Sequence, residues 1–130
     1  MNRVLLVDDD RNIRRIAQIA LAEVGHLQVT LASSGQEALN LVQHEQPDLV
    51  LLDVMMPEMD GFATLIKLQK DPKTSAIPVI FMTASVTDDE QQQYRTLGVR
   101  GVIVKPFDPM TLTEQIKQIL DAGDGPLDER

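Results

Sequence analysis

The segment LLDVMMPEMDG, residues 51–61, places an aspartate directly after an apolar run. A run of this kind, without polar alternation, predicts a β-strand that is buried on both faces of a sheet. The carboxylate of Asp53 at its end is desolvated unless a partner compensates it, so this residue is a strand-ending cap, a metal ligand or a nucleophile. Pro57 and Gly61 are typical of a turn, and Asp60 is placed to cap the helix that follows.

Five such apolar runs alternate along the chain with segments whose apolar residues recur at helical spacing. This alternation predicts a (βα)5 domain of the α/β class. It is a three-layer sandwich in which helices cover both faces of a parallel sheet through right-handed crossovers. The predicted strands lie in residues 4–7, 29–31, 49–52, 79–82 and 102–104.

Residues at the predicted helix ends agree with this pattern. The candidate N-caps are Asp10, Ser34 with Glu37, Asp60, Thr87 with Glu90, and Asp108 before Pro109. Gly25 and Gly98 are expected to end the first and fourth helices. The helix predicted in residues 87–97 has few apolar side chains beyond Tyr94 and Leu97, so we expect it to be the least firmly packed helix.

A chain of 130 residues with a net charge of −8 and no cysteine is typical of one globular domain. We expect a folded domain over residues 1–122 and a flexible acidic tail over residues 123–130. The negative charge argues against nucleic-acid binding, which depends mostly on Lys and Arg neutralising phosphates. Because the N-terminus forms neither a signal peptide nor a membrane span, we expect a cytoplasmic protein without membrane contacts.

Polar side chains follow four of the five predicted strands. In open α/β sheets, ligands bind outside the carboxyl ends of the strands, and the residues predicted at this edge are Asp8, Asp9, Asp53, Thr83 and Lys105. Each has an ordinary explanation when taken singly, as a helix cap, a β-branched residue near a turn or a solvated lysine. Together, three carboxylates at one edge repel each other unless a cation compensates them.

The chemistry of this predicted edge favours a hard divalent ion. Lys105 supplies one positive charge against three carboxylates, which leaves a formal charge of about −2. Oxygen ligands without Cys or a nearby His suit Mg²⁺, which takes one or two protein carboxylates together with backbone and water oxygens. The sequence therefore predicts a magnesium pocket, with Mn²⁺ as a substitute ion.

Four segments together resemble the receiver domain of two-component response regulators, in its stand-alone, single-domain form. They are VDDD at residues 7–10, LLDVMMPEMDG at residues 51–61, MTAS at residues 82–85 and KPF at residues 105–107. The resemblance covers about residues 3–120 and implies a flavodoxin-like fold with sheet order 2-1-3-4-5. Receiver domains are among the proteins in which the functional site lies at this edge of an open α/β sheet.

The resemblance also implies roles for the residues at the strand ends. Asp53 is the phosphoryl acceptor for a sensor histidine kinase or a histidine phosphotransfer protein. Thr83 hydrogen-bonds the phosphoryl group, and Lys105 pairs with Asp53 and then with phosphate, next to a cis bond to Pro106. The implied metal ligands are Asp9 and Asp53 directly, Asp8 mainly through water, and the backbone carbonyl of Met55.

Two features depart from the pattern of this family. Val102 stands where an aromatic residue is usual, which puts the usual switching mechanism in doubt, and Tyr94 is the nearest aromatic candidate in its place. Met55 and Ser85 occupy positions that tune hydrolysis of the acyl phosphate, yet neither side chain is suited to orient water. We therefore expect a long-lived phosphorylated state.

The expected output is docking on a downstream effector protein, or phosphorelay, through the fourth helix, fifth strand and fifth helix, since no further module is expected after Leu120.

Three other functions are weighed against this interpretation. A magnesium-dependent aspartyl-phosphate phosphohydrolase needs a second aspartate at the position of Met55. A flavodoxin-like cofactor site would place a phosphate against VDDD, which would repel it. An unphosphorylated scaffold would be favoured by loss of Asp53 or Lys105, and both are present. We therefore expect a signalling protein that is not a conventional enzyme.

Overall fold

The computed structural model describes residues 1–124, in which five strands alternate with five helices. The strands are β1 Arg3–Val7, β2 Gln28–Ala32, β3 Leu49–Asp53, β4 Val79–Thr83 and β5 Gly101–Val104. The helices are α1 Arg11–Gln18, which continues as a π-helical segment Ile19–Val24, α2 Gly35–Glu45, α3 Gly61–Lys70, α4 Asp88–Thr96 and α5 Leu112–Asp124. Each predicted strand is found within one or two residues of its predicted bounds.

All neighbouring strands run parallel, in the order β2-β1-β3-β4-β5. The central strands are apolar because both of their faces are covered: every residue of β3 and β4 is buried. The flavodoxin-like (βα)5 prediction and its sheet order are thereby confirmed. Since the strands are parallel, their carboxyl ends lie at one edge of the sheet, which is the edge that the functional site occupies.

Two hydrophobic cores, one on each face of the sheet, complete the three-layer sandwich. Alternate strand residues point to opposite faces, so Leu5 and Val7 belong to one core while Val4 and Leu6 belong to the other. Side chains of α2, α3 and α4 pack in the first core, and those of α1 and α5 pack in the second. The strand ends that form the site are therefore held by packing on both faces of the sheet.

Side-chain caps fix several helix starts as predicted. Asp10 caps α1, Asp60 caps α3, and Thr87 forms a complete capping box with Glu90 at α4. These caps matter for the site because α1, α3 and α4 each begin in a loop that leaves the carboxyl end of a strand. Each cap ties such a loop to a rigid helix.

Two cap predictions were wrong in detail. Ser34 caps α2, but the Glu37 carboxylate accepts from the Ser33 backbone N–H at 2.6 Å rather than from Ser34, so no reciprocal box forms. Asp108 does not cap α5, because its carboxylate accepts from the Met110 N–H at 2.9 Å in a turn that delays the helix to Leu112. A side-chain bond to a residue only two positions ahead competes with a helix start.

Gly25 and Gly98 both end helices, for different physical reasons. Gly98 has a φ of 102°, in the left-handed region that favours glycine. Gly25 has a φ of −88° and closes the π-helical segment by donating to the Ala20 carbonyl at 3.1 Å, and a Cβ there would collide with Thr113 of α5. Close approach of two helices, and not backbone dihedral, therefore requires this glycine.

The predicted division into a domain and a flexible C-terminal tail stays a prediction. Helix α5 continues to Asp124, two residues into the tail that was expected from residue 123. The rest of that tail lies outside the described residues. Within residues 1–124, no helix combines the length and the apolar character needed to cross a bilayer.

Candidate functional site

The predicted site residues do meet at the carboxyl edge of the sheet. Asp8 follows β1, Asp53 ends β3, Thr83 ends β4 and Lys105 follows β5. The parallel register aligns these ends, with Asp53 paired to Met82 and Thr83 paired to Val104. Four separate strands therefore contribute to one site, as the sequence predicts.

Three carboxylates form a compact cluster at this edge. One oxygen atom from each of Asp8, Asp9 and Asp53 lies within 4.8 Å of the others. Asp8 and Asp53 are almost fully buried, with 0% and 2% of their surface exposed, whereas Asp9 is exposed. This donor set of oxygen atoms only, open to solvent on the Asp9 side, fits Mg²⁺ with retained waters.

Asp8 is held by its own loop and by α1. Its carboxylate accepts from the Asp10 backbone N–H at 2.9 Å, and its carbonyl accepts from Nη1 of Arg14 at 2.8 Å. Arg14 carries no sequence signal for this contact, since an arginine in the second turn of an amphipathic helix is typical of a solvated face. The two bonds fix the turn that carries Asp8 and Asp9.

Lys105 bridges the two buried carboxylates. Its Nζ lies 3.1 Å from Oδ2 of Asp8 and 3.2 Å from Oδ1 of Asp53, and its side chain is 18% exposed. These are charge-assisted hydrogen bonds of a partly buried lysine, which are stronger than exposed pairs. The peptide bond from Lys105 to Pro106 is cis, as expected.

The electrostatics of this cluster favour a bound cation. Burial, with repulsion from Asp8, raises the pKa of Asp53 to about 6, although Lys105 and the Met55 N–H lower it. Burial lowers the pKa of Lys105, but its bonds to Asp8 and Asp53 outweigh burial and leave that pKa raised. One ammonium therefore does not fully compensate the acidic cluster.

Thr83 is buried beside the cluster, but its hydroxyl points elsewhere. Its Oγ1 donates to the carbonyl of Ser85 at 3.1 Å, inside the loop between β4 and α4. Its carbonyl accepts from the Lys105 N–H at 2.8 Å, which ties the ends of β4 and β5 together. Thr83 thus contacts the loop that leads into α4, and its bond to Ser85 is not foreseen by the sequence pattern.

Met55 stands at the mouth of the site. Its backbone N–H donates to Oδ1 of Asp53 at 3.3 Å, while the residue as a whole is 75% exposed. The loop continues through Pro57, whose carbonyl accepts from the Met59 N–H at 2.7 Å, with Glu58 between them at a positive φ of 66°. This tight turn holds the chain close to the carboxylates.

Two open cavities lie beside α4, and one of them touches the carboxyl edge of the sheet. The first, of about 710 Å³, lies between α3 and α4 and contacts Met55, Thr83 and Ser85. The second, of about 590 Å³, lies between α4, β5 and α5 and contacts Val102. We call the first the α3–α4 cavity below.

Comparison with known proteins places the chain among signalling proteins. It is 41% identical over 118 residues to the probable transcriptional regulator ycf27 of Guillardia theta and 40% identical over 118 residues to response regulator Rre1 of Synechocystis sp.. These matches cover 91% and 90% of this chain but 45% and 51% of the relatives. The chain thus spans about half the length of these curated relatives.

Solved structures show the same fold along the whole of their own length. The chemotaxis protein CheY4 of Vibrio cholerae superposes with a TM-score of 0.83 at 31% identity, covering 92% of this chain and 98% of that one. The sequence model of the response regulator receiver domain family matches residues 4–117, which is most of the chain. With the carboxylate cluster and the bridging lysine, this shows that the chain belongs to the response regulator receiver domain family, whose members are signalling modules of two-component systems and not classical enzymes.

Proposed function

We propose that Asp53 accepts a phosphoryl group from the phosphohistidine of a sensor histidine kinase or a histidine phosphotransfer protein. The observation that carries this proposal is the buried Asp53 carboxylate, bridged by Lys105 to Asp8 at the carboxyl edge of the sheet. A carboxylate in this position is poorly compensated, and its neighbours in the site, Asp9 and Met55, are exposed to solvent. We therefore expect this carboxylate to be the group that attacks the phosphoryl donor.

The proposed step is an in-line displacement at phosphorus. A carboxylate oxygen of Asp53 forms the new O–P bond as the P–N bond of phosphohistidine breaks, and the imidazole nitrogen keeps the bonding electron pair. The Lys105 ammonium, 3.2 Å from Asp53, offsets negative charge on the transferring oxygens. Asp8, Asp9, Asp53 and the Met55 carbonyl would hold Mg²⁺ or Mn²⁺, which would stabilise the same charge when bound.

Phosphorylation would then act on the loop between β4 and α4. A phosphoryl group on Asp53 adds about two negative charges and three acceptor oxygens. The Thr83 hydroxyl is an uncharged donor at the end of the neighbouring strand β4, and in the described structure it is bound to Ser85. We infer that this hydroxyl turns from the Ser85 carbonyl to the phosphoryl group, and that Lys105 follows the phosphoryl group from the opposite side.

The output would be docking on a partner protein. We propose the surface of α4, β5 and α5 as the docking surface, because α4 follows directly on the loop that Thr83 holds. The cavity of about 590 Å³ on this surface gives an apolar partner side chain a place to bind. The name of the relative ycf27, a probable transcriptional regulator, supports an output at transcription through a DNA-binding effector.

A phosphohydrolase with an aspartyl-phosphate intermediate is the second candidate, and the site favours it less. Such an enzyme needs an acid and base two residues after the nucleophile, a position that Met55 fills here. Its thioether neither donates nor takes up a proton at neutral pH. The site therefore suits one phosphoryl transfer better than repeated turnover.

Intact-mass spectrometry after treatment with acetyl phosphate and Mg²⁺ tests the proposal. The wild-type protein should gain the mass of one phosphoryl group, and Asp53→Asn should gain none. Asp60→Asn is a matched control, since Asp60 lies in the same loop but caps α3; it should be phosphorylated like the wild type. Equal labelling of wild type and Asp53→Asn would contradict the assignment.

A further inference from the structure

Three aromatic rings form a cluster beneath α4. Tyr94 packs against Phe81 of β4 with ring centroids 5.2 Å apart and against Phe62 of α3 at 5.6 Å, and the two phenylalanine rings lie 5.4 Å apart. Edge-to-face pairs of this kind stabilise beyond the area that they bury. Tyr94 is the single buried residue of α4. Tyr94 is therefore the side chain through which α4 reaches the core.

The cluster is continuous with Thr83. Phe81 and Thr83 lie two positions apart on β4, so their side chains point to the same face of the sheet. The α3–α4 cavity of about 710 Å³ is lined by both Thr83 and Tyr94, together with Ser85 and Phe62. Open space therefore adjoins both Tyr94 and the strand end that carries Thr83.

The hydroxyl of Tyr94 is not committed to a protein partner. Within residues 1–124 it makes no hydrogen bond, and burial, with the charge of Glu90, raises the pKa of Tyr94, so the phenol is neutral. Nothing polar therefore anchors the ring in its present place. Strand β5 contributes no aromatic ring to this core, because its residue that packs there is the half-buried Val102.

We propose that Tyr94 is the residue that transmits the state of Thr83 to the position of α4. This inference rests on the proposed function. When the Thr83 hydroxyl leaves the Ser85 carbonyl for a phosphoryl group, the loop that ends in the Thr87 cap is released. The Tyr94 ring then moves within the α3–α4 cavity, and α4 moves with it because this ring is its buried contact.

Intrinsic fluorescence tests the proposal directly, because Tyr94 is the only tyrosine and the chain has no tryptophan. The intensity of tyrosine emission and its quenching by acrylamide would be measured before and after acetyl phosphate and Mg²⁺, with the phosphorylated fraction determined by mass. We expect both signals to shift in the wild type and to stay constant in Asp53→Asn. A phosphorylated wild type with unchanged emission and quenching would overturn the proposal.

Hydrogen exchange separates transmission from simple packing. Phosphorylation should change the exchange of α4 amides in the wild type, and Tyr94→Leu should lose this difference while gaining the phosphoryl mass. Gln92→Ala, a change at an exposed residue of the same helix that lines neither cavity, is the matched control and should keep the difference. A retained difference in Tyr94→Leu would contradict the inference. Absence of any mass gain in the wild type would instead contradict the proposed function, and the inference with it.

Discussion

At the scale of single residues, the site depends on an imbalance of charge. Asp8 and Asp53 are buried side by side, and one lysine compensates both. Desolvation penalises a buried carboxylate in its charged form, so the folded protein keeps Asp53 ionised at neutral pH only at a cost in stability. The same cost favours a bound cation at this position.

Replacing Asp53 by Asn should therefore stabilise the metal-free protein. The pKa of Asp53 is raised from 3.8 in the unfolded chain to about 6 in the folded one. Below pH 3.8 the carboxyl is protonated in both states and carries no penalty. As the pH rises from 3.8 to 6, the unfolded state releases its proton first and stability falls, until the full penalty is present above pH 6.

Because the neutral amide resembles the protonated carboxyl, Asp53→Asn should exceed the wild type by about 2–3 kcal/mol in unfolding free energy at pH 7. The excess should shrink toward zero near pH 4. Urea unfolding of both proteins over this pH range, with a metal chelator present, measures it. A difference that does not vary with pH would contradict the raised pKa.

Met55→Asn should shorten the lifetime of the phosphorylated state. The Met55 side chain is largely exposed at the mouth of the site, and an amide there can orient an attacking water as a thioether cannot. Loss of the phosphoryl mass over time, after removal of acetyl phosphate, gives the hydrolysis rate. We expect an increase of up to about 10²-fold, the lower range for positioned acid–base groups. Met55→Leu should leave the rate unchanged, and an equal rate for Met55→Asn would refute the idea.

At the scale of elements, the sequence predicts most of what is observed, because hydrophobic period and cap chemistry are local. The five strands, their parallel arrangement and the caps Asp10, Asp60 and Thr87 follow from these signals. The π-helical segment at the end of α1 does not follow from these signals, nor does the close approach of α5 at Gly25, just after that segment. Tertiary contacts of this kind leave no local pattern.

The C-terminus of α2 offers a stability test of backbone conformation alone. Gln46 follows this helix in the left-handed region, with a φ of 47° and a ψ of 61°, and its side chain is exposed. Glycine adopts this conformation without the steric penalty of a Cβ atom.

Gln46→Gly should thus raise the unfolding free energy by about 0.5–1 kcal/mol, because relief of a steric cost of roughly 1–2 kcal/mol outweighs the roughly 0.5–1 kcal/mol of extra chain entropy that glycine loses on folding. Gln46→Ala keeps the Cβ atom and serves as the control, for which we expect no gain. Urea unfolding at pH 7 measures both. If the glycine and alanine variants had the same unfolding free energy, the left-handed conformation at this position could not explain a change in stability.

At the scale of the whole molecule, the site is a consequence of topology. Residues as distant in sequence as Asp8 and Lys105 are joined by a 3.1 Å ion pair because parallel strands bring their carboxyl ends to one edge. That convergence could be predicted from the strand pattern. The direction of individual side chains could not: the bonds of Thr83 to Ser85 and of Arg14 to Asp8 depend on loop geometry.

Divalent metal should stabilise the whole fold through this edge. A ligand that binds only the folded state adds about 2.7 kcal/mol of unfolding free energy at 100 times its Kd. We therefore expect Mg²⁺ to raise the melting temperature of the wild type. Removal of the ion with a chelator should reverse the shift completely.

The triple acid that follows β1 supplies the matched variants for this test. Asp9 belongs to the carboxylate cluster, whereas Asp10 caps α1 through the Asn12 and Ile13 backbone N–H groups. Asp9→Asn should lose most of the Mg²⁺ shift, and Asp10→Asn should keep it, since asparagine caps a helix as well as aspartate does. Both variants lose one negative charge, so an equal loss of the shift in both would mean that Mg²⁺ acts on net charge and not on a built site. Melting each protein with and without Mg²⁺ at constant ionic strength decides between these outcomes, because general screening is then the same in every sample.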